Sequence, residues 1–320
     1  MSKKLSTDLY KRLYLIRSAE SAIIARYGED EMKTPMHMSM GGEAIAVGVC
    51  SALGNRGVVY CTYRSHAVYL SMTNETEAFF GELYGRVTGV ARGKAGSMHL
   101  SAPEYGFLGA SAIVGSTIPL AIGSAFASRM LRTKKVAAVF FGDGAIDEGV
   151  FWESLNLACI MKLPVIFICE DNSLAVHSFD HARHGYQSIE KIVARFRCRV
   201  FSLQSTDVEK IYTLTVQAMA HAVKNQMPVF LHIKYYRYLE HVGINEDFAA
   251  GYRNRDEFEV WRRKDPVVLQ RRKLTSSGIP ETAIQQLERN IVHRIEQSIA
   301  NARKAPFPKA KELMDNIFAT

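Results

Sequence analysis

A glycine-flanked aspartate and a downstream asparagine are the residues of this chain whose types and spacing point most directly to chemistry. Gly142-Asp143-Gly144 follows directly on the apolar run VAAVFF. Asn172 stands 29 positions after Asp143, shortly after a second apolar run, VIFIC. Carboxylate and amide oxygens are hard ligands that suit magnesium or calcium better than zinc, and magnesium completes its shell with waters and phosphate oxygens. The pattern therefore predicts a metal-bound diphosphate at this place.

The backbone around Asp143 suits the same ligand. Its flanking glycines leave room for a phosphate to approach the main chain, and a helix that begins near Ala145 would point its amide dipoles at that phosphate. The tripeptide alone is equally typical of an ordinary strand-to-helix turn. The second strand, with an asparagine at this spacing, is what favours a binding site.

Four strand patterns and five helical patterns make up the elements that must position these residues. Strands are predicted at 136–141, 165–169, 199–203 and 228–234, and helices at 9–26, 43–53, 147–162, 207–224 and 281–304. Thr206 and Glu209 form a T-x-x-E capping box at the start of the fourth helix. Buried strands that alternate with helices predict an α/β fold, a parallel sheet with helices on both faces. Because a right-handed crossover places both strand ends at one sheet edge, neighbouring strands would bring Asp143 and Asn172 close together.

Composition indicates a globular protein of an ordinary kind. Hydrophobic residues make up 48% of the 320 and charged residues 22%, proportions that exclude disorder and a disulfide miniprotein. No apolar stretch approaches the roughly 20 residues of a membrane span, and the first residues include no apolar segment typical of an export signal. The five cysteines are scattered. We therefore expect a cytoplasmic protein with reduced thiols and no membrane contact.

Charge and organisation narrow the set of partners. The formal net charge of +8 comes from basic residues that are spread thinly along the chain, which predicts a solvated face or a cleft for anionic ligands rather than a nucleic-acid surface. No internal repeat or low-complexity linker divides the sequence. We interpret it as a single diphosphate-binding domain over 1–320, with an N-terminal helical segment and a C-terminal helix and tail.

The segment FGDGAIDEGVFWESLNLACIMKLPVIFICEDN (141–172) resembles the thiamine-diphosphate-binding motif, in which GDG is followed by an asparagine one strand–helix–strand unit later. More narrowly, the chain resembles the alpha subunit of the decarboxylating component of 2-oxo acid dehydrogenases, the group of the pyruvate, branched-chain and acetoin enzymes. Further matching segments are HMSMGGEA (37–44), TYRSH (62–66), GKAGSMHL (93–100), GASAIVGSTIPLAIGSAFA (109–127), YRYLEH (236–241) and GYRNRDEFEVWRRKDP (251–266). The resemblance covers nearly the whole chain and implies a transketolase-like thiamine-diphosphate-binding fold, of which this chain is the diphosphate-binding half.

The resemblance also implies roles for individual residues around thiamine diphosphate and Mg²⁺. The metal would be held by Asp143, Asn172 and the backbone carbonyl of Leu174. The diphosphate would be held by the backbone amides of Gly144 and Ala145 and by the side chains of Tyr63 and Arg64, with Arg64 acting as a charge-assisted fork.

The remaining site residues implied by the resemblance lie outside the metal motif. Ala112 and Val114 would line the aminopyrimidine through backbone groups. His37 and His241 would handle protons or the diphosphate, since a histidine ordinarily titrates near neutrality. The roles of His66 and His99, which lie in matching motifs, stay open.

By resemblance, the subunit decarboxylates a small 2-oxo acid and passes the acyl group to the lipoyl arm of an acyltransferase. The glutamate that acts on the aminopyrimidine belongs, in this family, to a pyrimidine-binding domain carried by a beta subunit. A chain of 320 residues that is filled by the diphosphate-binding half has no room for that domain. We therefore expect half an active site, completed in an α₂β₂ assembly.

Departures from the family pattern keep alternatives open. Val242 replaces the serine that follows the histidine in mitochondrial relatives, so regulation by phosphorylation is not expected there. Ala67 and Ala95 each replace a glycine, and Glu240 stands where many dehydrogenases have glycine. Because that loop borders the lipoyl entrance, Glu240 could favour an amine- or hydroxyl-bearing acceptor instead.

Two other functions therefore remain. One is a carboligase or transketolase-like subunit acting on an aldehyde or sugar acceptor, and the other is a non-catalytic regulatory subunit. Residues 235–252 combine glycine, asparagine and mixed charge without periodicity, which predicts a mobile loop that orders on cofactor binding.

Overall fold

A six-stranded parallel sheet forms the centre of the protein in the computed structural model, which describes residues 1–133 and 135–315. Its strands are β1 Gly57–Thr62, β2 Phe107–Ser111, β3 Val136–Gly142, β4 Val165–Asp171, β7 Arg199–Gln204 and β8 Val229–Lys234, and β5 Leu174–Ala175 pairs with β6 Ser178–Phe179 as a separate hairpin. The order across the large sheet is β2-β1-β3-β4-β8-β7, with every neighbouring pair parallel. The last five residues of the predicted tail lie outside the described part.

The two strands that carry the metal motif are neighbours, as the crossover argument predicts. Every residue of 136–141 and of 165–169 is buried, because both strands lie at the centre of the sheet with helices on each side. Their register pairs Ala137 with Val165 and Gly142 with Glu170. The strands end together at the sheet edge where Asp143 and Asn172 follow.

Helices surround this sheet. They are α1 Lys3–Arg26, α2 Glu43–Leu53, α3 His66–Thr73, α4 Thr76–Leu83, α5 Thr117–Met130, α6 Gly149–Ile160, α7 Asp180–Arg183, α8 Ile189–Val193, α9 Val208–Asn225, α10 Arg255–Arg262, α11 Pro266–Ser276 and α12 Glu281–Lys304. All five predicted helices are present. The sequence patterns predict no strand at β1 or β2, where only alternate residues of β1 are buried and β2 contains a glycine.

Two local predictions about helix starts are wrong. Asp207, not Thr206, caps α9: its carboxylate accepts hydrogen bonds from the amides of Glu209 and Lys210, while the Thr206 hydroxyl donates to the carbonyl of Lys264. The helix expected to begin near Ala145 starts at Gly149, because residues 143–147 form a 3₁₀ turn instead.

Hydrophobic cores lie on both faces of the sheet, which confirms the predicted layers. In β3 the side chains of Val136, Ala138 and Phe140 join the core formed with α1, α2 and α9. Those of Ala137, Val139 and Phe141 join the core formed with α5 and α6. The alternation follows from the two-residue period of a strand. Among the described residues, no helix combines the length and apolar character needed to cross a membrane.

Candidate active site

Asp143 lies where β3 ends, as the first residue of the 3₁₀ turn. Its side chain is 3% exposed. Oδ2 accepts a hydrogen bond from Arg183, whereas Oδ1 has no hydrogen-bond partner within the described chain. Burial and the nearby Asp171 carboxylate raise the pKa of Asp143 to about 6, and Arg183 opposes that rise. A buried carboxylate with one unpaired oxygen can accommodate a further cation at that oxygen.

Asn172 begins a tight turn that follows β4. Its side-chain Oδ1 accepts a hydrogen bond from the amide of Leu174 at 3.1 Å, and its Nδ2 donates to the hydroxyl of Tyr235 at 3.1 Å. Ser173 has a left-handed backbone, with φ of 62°. The amide of Ser173 donates to Asp171 Oδ1 at 2.8 Å, which stabilises this uncommon conformation. The turn therefore has a fixed shape, with Asn172 and Leu174 beside the cavity that borders Gly144.

A buried histidine supports this turn from behind. His232 on β8 hydrogen-bonds through Nε2 to Asp171 and through Nδ1 to Glu190, each at 2.7 Å. These two carboxylates raise the pKa of His232 against the effect of burial, and hydrogen bonding to His232 helps to lower the pKa of Asp171. This cluster was not predicted from the sequence, although a histidine inside the buried strand VFLHIK is a polar group that needs partners.

The turn after Asp143 brings backbone atoms close to β5. A Cβ on Gly144 would lie 2.8 Å from the Cβ of Ala175, so the contact requires glycine. Gly144 and Ala145 line the adjacent cavity, as the resemblance implies. The N-terminus of α6 lies further along the chain than predicted, so its dipole begins at Gly149 rather than at Ala145.

The cavity at this sheet edge measures about 230 Å³. Eight of the residues implied by the resemblance line it, namely Tyr63, Arg64, Val114, Gly144, Ala145, Asn172, Leu174 and His241. Ala112 and His37 are not among the described residues that line it. Asp143 borders a second cavity of about 460 Å³, together with Asp171, His184, Glu190 and His232.

Three aromatic rings from distant parts of the chain meet beside the first cavity. The ring centroid of His37 lies 4.5 Å from that of Tyr63 and 5.4 Å from that of His241, and the Tyr63 and His241 centroids are 5.6 Å apart. Main-chain contacts fix this arrangement, since the amide of Gly243 donates to the carbonyl of Met36 at 2.8 Å. His37 thus joins the site through ring contacts with the two cavity-lining residues.

Both histidines are held in their neutral form. Burial, followed by the charge of Arg64, lowers the pKa of His37 to about 3 and the pKa of His241 to about 4. The expectation that they titrate near neutrality is therefore wrong for the protein without ligand. Nδ1 of His37 is buried and has no hydrogen-bond partner among the described residues.

Arg64 links the two histidine segments through its guanidinium group. Nη1 donates to the carbonyl of Met38 at 2.6 Å, and Nη2 donates to the carbonyl of His241 at 3.0 Å. A fork from Arg64 to a diphosphate, as the resemblance implies, has to use the N–H groups that these two bonds leave over. Arg64 therefore fixes the positions of its neighbours before any ligand is bound.

Arg237 adds positive charge that sequence analysis did not assign to the site. Its side chain is 2% exposed and lines the cavity. Burial and the proximity of Arg64 lower the pKa of Arg237 to about 10. The carboxylate of Asp247 opposes this shift only in part, since its Oδ2 lies 3.6 Å from Nη2 of Arg237. Burial also raises the pKa of Glu170, another lining residue, to about 8. Two guanidinium groups, those of Arg64 and Arg237, therefore line the cavity together with the carboxyl groups of Glu148 and Glu170.

The segment predicted to be mobile contains a dense set of hydrogen bonds. Residues 235–238 are buried. The guanidinium of Arg253 donates through Nε to Asp247 at 2.9 Å, and the hydroxyl of Tyr252 also donates to Asp247. These contacts exist in the protein without cofactor, and the ordering of 235–252 on cofactor binding stays a prediction.

Glu240 bonds to its own loop. Its Oε1 accepts a hydrogen bond from the amide of Asn245 at 2.9 Å, and a Cβ on Gly243 would lie 2.1 Å from the same oxygen. Because this carboxylate stabilises a turn, it offers no observation in favour of an amine- or hydroxyl-bearing acceptor.

The two histidines whose roles stayed open differ in their surroundings. His66 is fully buried and hydrogen-bonds to Glu20 at 3.2 Å and to Ser97 at 2.7 Å. It therefore joins α1, the start of α3 and the segment 93–100, to which Ser97 belongs. His99 is exposed.

These observations test whether the residues fit a divalent cation with a diphosphate. Asp143 Oδ1 is a buried, unpaired anionic oxygen, and Asn172 supplies an amide oxygen at the neighbouring strand end. Arg64 and Arg237 supply cationic groups to the cavity that Gly144 borders. Oxygen donors suit magnesium, and the two guanidinium groups suit a polyanion. The residues present fit both groups.

Comparison with known proteins gives consistent matches. The family described as dehydrogenase E1 component matches residues 11–311. Pyruvate dehydrogenase E1 component subunit alpha of Zymomonas mobilis is 31% identical, over 97% of this chain and 87% of the relative. The mitochondrial pyruvate dehydrogenase E1 component subunit alpha of Solanum tuberosum is 32% identical, over 99% and 80%. The alpha subunit of acetoin:2,6-dichlorophenolindophenol oxidoreductase of Bacillus subtilis is 29% identical, over 98% and 93%.

Proposed function

The chain belongs to the dehydrogenase E1 component family, and from that premise we propose that it is the alpha subunit of a thiamine-diphosphate-dependent 2-oxo acid dehydrogenase. It decarboxylates a small 2-oxo acid and passes the acyl group to a lipoyl carrier of an acyltransferase. The observation that carries the proposal is the unpaired oxygen of buried Asp143, at the strand end next to the one that carries Asn172, which lines a cavity with Arg64 and Arg237.

Three groups would hold Mg²⁺. They are the carboxylate of Asp143, the side-chain oxygen of Asn172 and the carbonyl of Leu174. Asn172 Oδ1 already accepts a hydrogen bond from the amide of Leu174, which fixes its orientation while leaving a second lone pair free. The cation would neutralise the buried carboxylate and fix the position of the diphosphate.

Positive charge and backbone amides would hold the diphosphate. Gly144 and Ala145 line the cavity and would supply their N–H groups, and Tyr63 and Arg64 line the same space. Arg237 contributes through its charge, which has only a partial counter-ion in the free protein. A bound polyanion would relieve the repulsion between Arg64 and Arg237.

The two histidines, His37 and His241, would take part in proton transfer once a negatively charged diphosphate is bound. When bound, thiamine diphosphate supplies the nucleophilic carbon and the electron sink that decarboxylation needs. His37 and His241 are neutral in the free protein, and the negative charge of a diphosphate would raise the pKa of each towards the working range. His241 lines the cavity and could then donate a proton there, while the ring of His37 contacts the ring of His241.

A beta subunit would complete the site, in an assembly of two alpha and two beta chains. The cavity of about 230 Å³ is smaller than the roughly 300–1,000 Å³ of a complete small-molecule site. The outer face of α5 and α6 carries large exposed apolar side chains, of which Leu120 is 56% exposed, Met130 65% and Ile160 65%. Exposed apolar surface of this kind is typical of an interaction face.

The test is to purify the chain with and without its beta partner and to follow 2-oxo acid decarboxylation with an artificial electron acceptor. We expect turnover only in the mixture, and only with thiamine diphosphate and Mg²⁺ present. An Asp143→Ala alpha subunit in the same mixture is the negative control. Parallel reactions with an aldehyde and with a lipoyl domain as the acceptor distinguish carboligation from transfer of the acyl group to a lipoyl carrier.

Three outcomes would each contradict a different part of the proposed function. Turnover by the chain alone would contradict the half-site. Aldehyde ligation without transfer to a lipoyl domain would contradict the dehydrogenase assignment in favour of a carboligase. A mixture that binds thiamine diphosphate and turns over no 2-oxo acid would contradict the proposed reaction.

A further inference from the structure

Arg183, at the end of α7, connects two carboxylates of the 3₁₀ turn. Its Nη2 pairs with Asp143 Oδ2 and its Nη1 with Asp147 Oδ2. Nε donates to the carbonyl of Ser178 at 3.2 Å, which ties the guanidinium to the hairpin of its own segment. The side chain is 13% exposed. The group is therefore fixed by bonds to three different residues.

The chain path gives this contact its significance. The segment 172–183 leaves the sheet at Asn172, passes through β5, β6 and α7, and returns to the sheet edge at Arg183. Its beginning carries one proposed metal ligand, and its end binds another, Asp143, 40 positions upstream. Arg183 thus closes the segment over the two strand ends that would hold the metal.

The two oxygens of the Asp143 carboxylate differ in their hydrogen bonding. Oδ2 is taken by Arg183, and Oδ1 has no hydrogen-bond partner among the described residues. A carboxylate that is gripped at one oxygen cannot rotate freely, so the other oxygen keeps a fixed direction.

The nearby charges allow a cation to bind beside Arg183. Asp147 balances the guanidinium charge, so the Asp143 carboxylate remains as the net negative charge of the trio. His184 Nε2 lies 2.9 Å from Asp147 Oδ1 and fixes that second carboxylate in turn. Repulsion between Arg183 and a divalent cation is reduced by this neutralisation.

We propose that Arg183 is a positioning residue for the divalent cation: it holds Oδ2 of Asp143 so that Oδ1 is presented to the metal, and it keeps 172–183 closed over the site. This role rests on the proposed function. It predicts that loss of the arginine weakens metal binding rather than strengthening it, since the group organises a ligand instead of competing for it.

The test uses the assembled alpha–beta enzyme, stripped of metal, with thiamine diphosphate present and Mn²⁺ as the probe. Electron paramagnetic resonance titration gives the affinity for Mn²⁺. Arg183→Met should weaken binding by roughly 10- to 100-fold, the usual effect of losing a group that orients a metal ligand. Arg183→Lys keeps a charge without the bidentate fork, and its affinity for Mn²⁺ should lie between those of the unmodified enzyme and Arg183→Met.

A matched control and two further readouts separate positioning from general stability. Arg271 likewise bridges two carboxylates, Glu281 and Glu288, and Arg271→Met should leave Mn²⁺ affinity unchanged. Hydrogen exchange in 172–183 should quicken in Arg183→Met alone. At saturating Mn²⁺ that variant should retain kcat within about threefold of the unmodified enzyme, because the ligands themselves remain.

The results that overturn the inference are distinct from those that overturn the proposed function. Unchanged Mn²⁺ affinity in Arg183→Met refutes the positioning role, and tighter binding shows that Arg183 competes with the metal. If the unmodified enzyme bound no Mn²⁺ with thiamine diphosphate, the metal assignment itself would fall, and this inference with it.

Discussion

Replacing His37 with glutamine should reduce the amount by which the free energy of unfolding falls as the pH is lowered. Burial and the charge of Arg64 lower the pKa of His37 from 6.5 to about 3. A histidine with a lowered folded-state pKa takes up protons preferentially in the unfolded chain. Its contribution to stability is therefore complete above about pH 6.5 and is lost as the pH falls towards the folded-state pKa.

The size of the effect follows from this difference in pKa. Between about pH 8 and pH 5 the unfolded chain gains nearly one proton at this position and the folded protein gains almost none. The free energy of unfolding should then fall by about 2 kcal/mol through His37 alone. Glutamine has no charge to gain, so this share of the pH dependence should disappear in His37→Gln.

Urea unfolding followed by tryptophan fluorescence, repeated at several pH values, measures the effect. The quantity to compare is the difference between the unmodified and His37→Gln profiles, since other titrating groups cancel in it. His293→Gln, which removes an exposed histidine from α12, is the control variant. Parallel profiles for the unmodified protein and His37→Gln would refute the burial argument for this residue.

Three further predictions concern the cofactor and the partner. Asp143→Ala in the assembled enzyme should weaken thiamine diphosphate binding in Mg²⁺ by roughly 100-fold or more, since a direct ligand matters at least as much as its supporting groups; calorimetry showing unchanged affinity would rule out the metal assignment. His241→Ala should lower turnover by roughly 10²-fold, the usual share of acid–base help, and a steady-state assay with near-normal kcat would speak against that role. Met130→Glu, which places a charge on the exposed face of α5, should weaken association with the beta subunit in analytical ultracentrifugation, whereas an unaffected assembly would place the interface elsewhere.

Local pattern was sufficient for four of the six strands of the sheet and for the neighbouring strand ends that precede Asp143 and Asn172. The runs at 136–141 and 165–169 are wholly apolar, and a strand of that kind is stable only when both of its faces are covered. The right-handed crossover then leaves few choices for the position of Asp143 relative to Asn172. Helix starts were less predictable from sequence, because caps depend on which side chain reaches the free amides, and Asp207 rather than Thr206 does so in α9.

The sequence by itself thus determined four strands of the parallel sheet, the helical layers and the sheet edge at which Asp143 and Asn172 lie, because these depend on residue periodicity and on chain connectivity. Only the tertiary structure decided how charge is distributed around them. His232 meets Asp171 across 61 positions, and Arg183 meets Asp143 across 40. The pKa of His37 depends on burial and on a guanidinium brought near by folding. Such through-space effects act over distances that no spacing along the chain encodes.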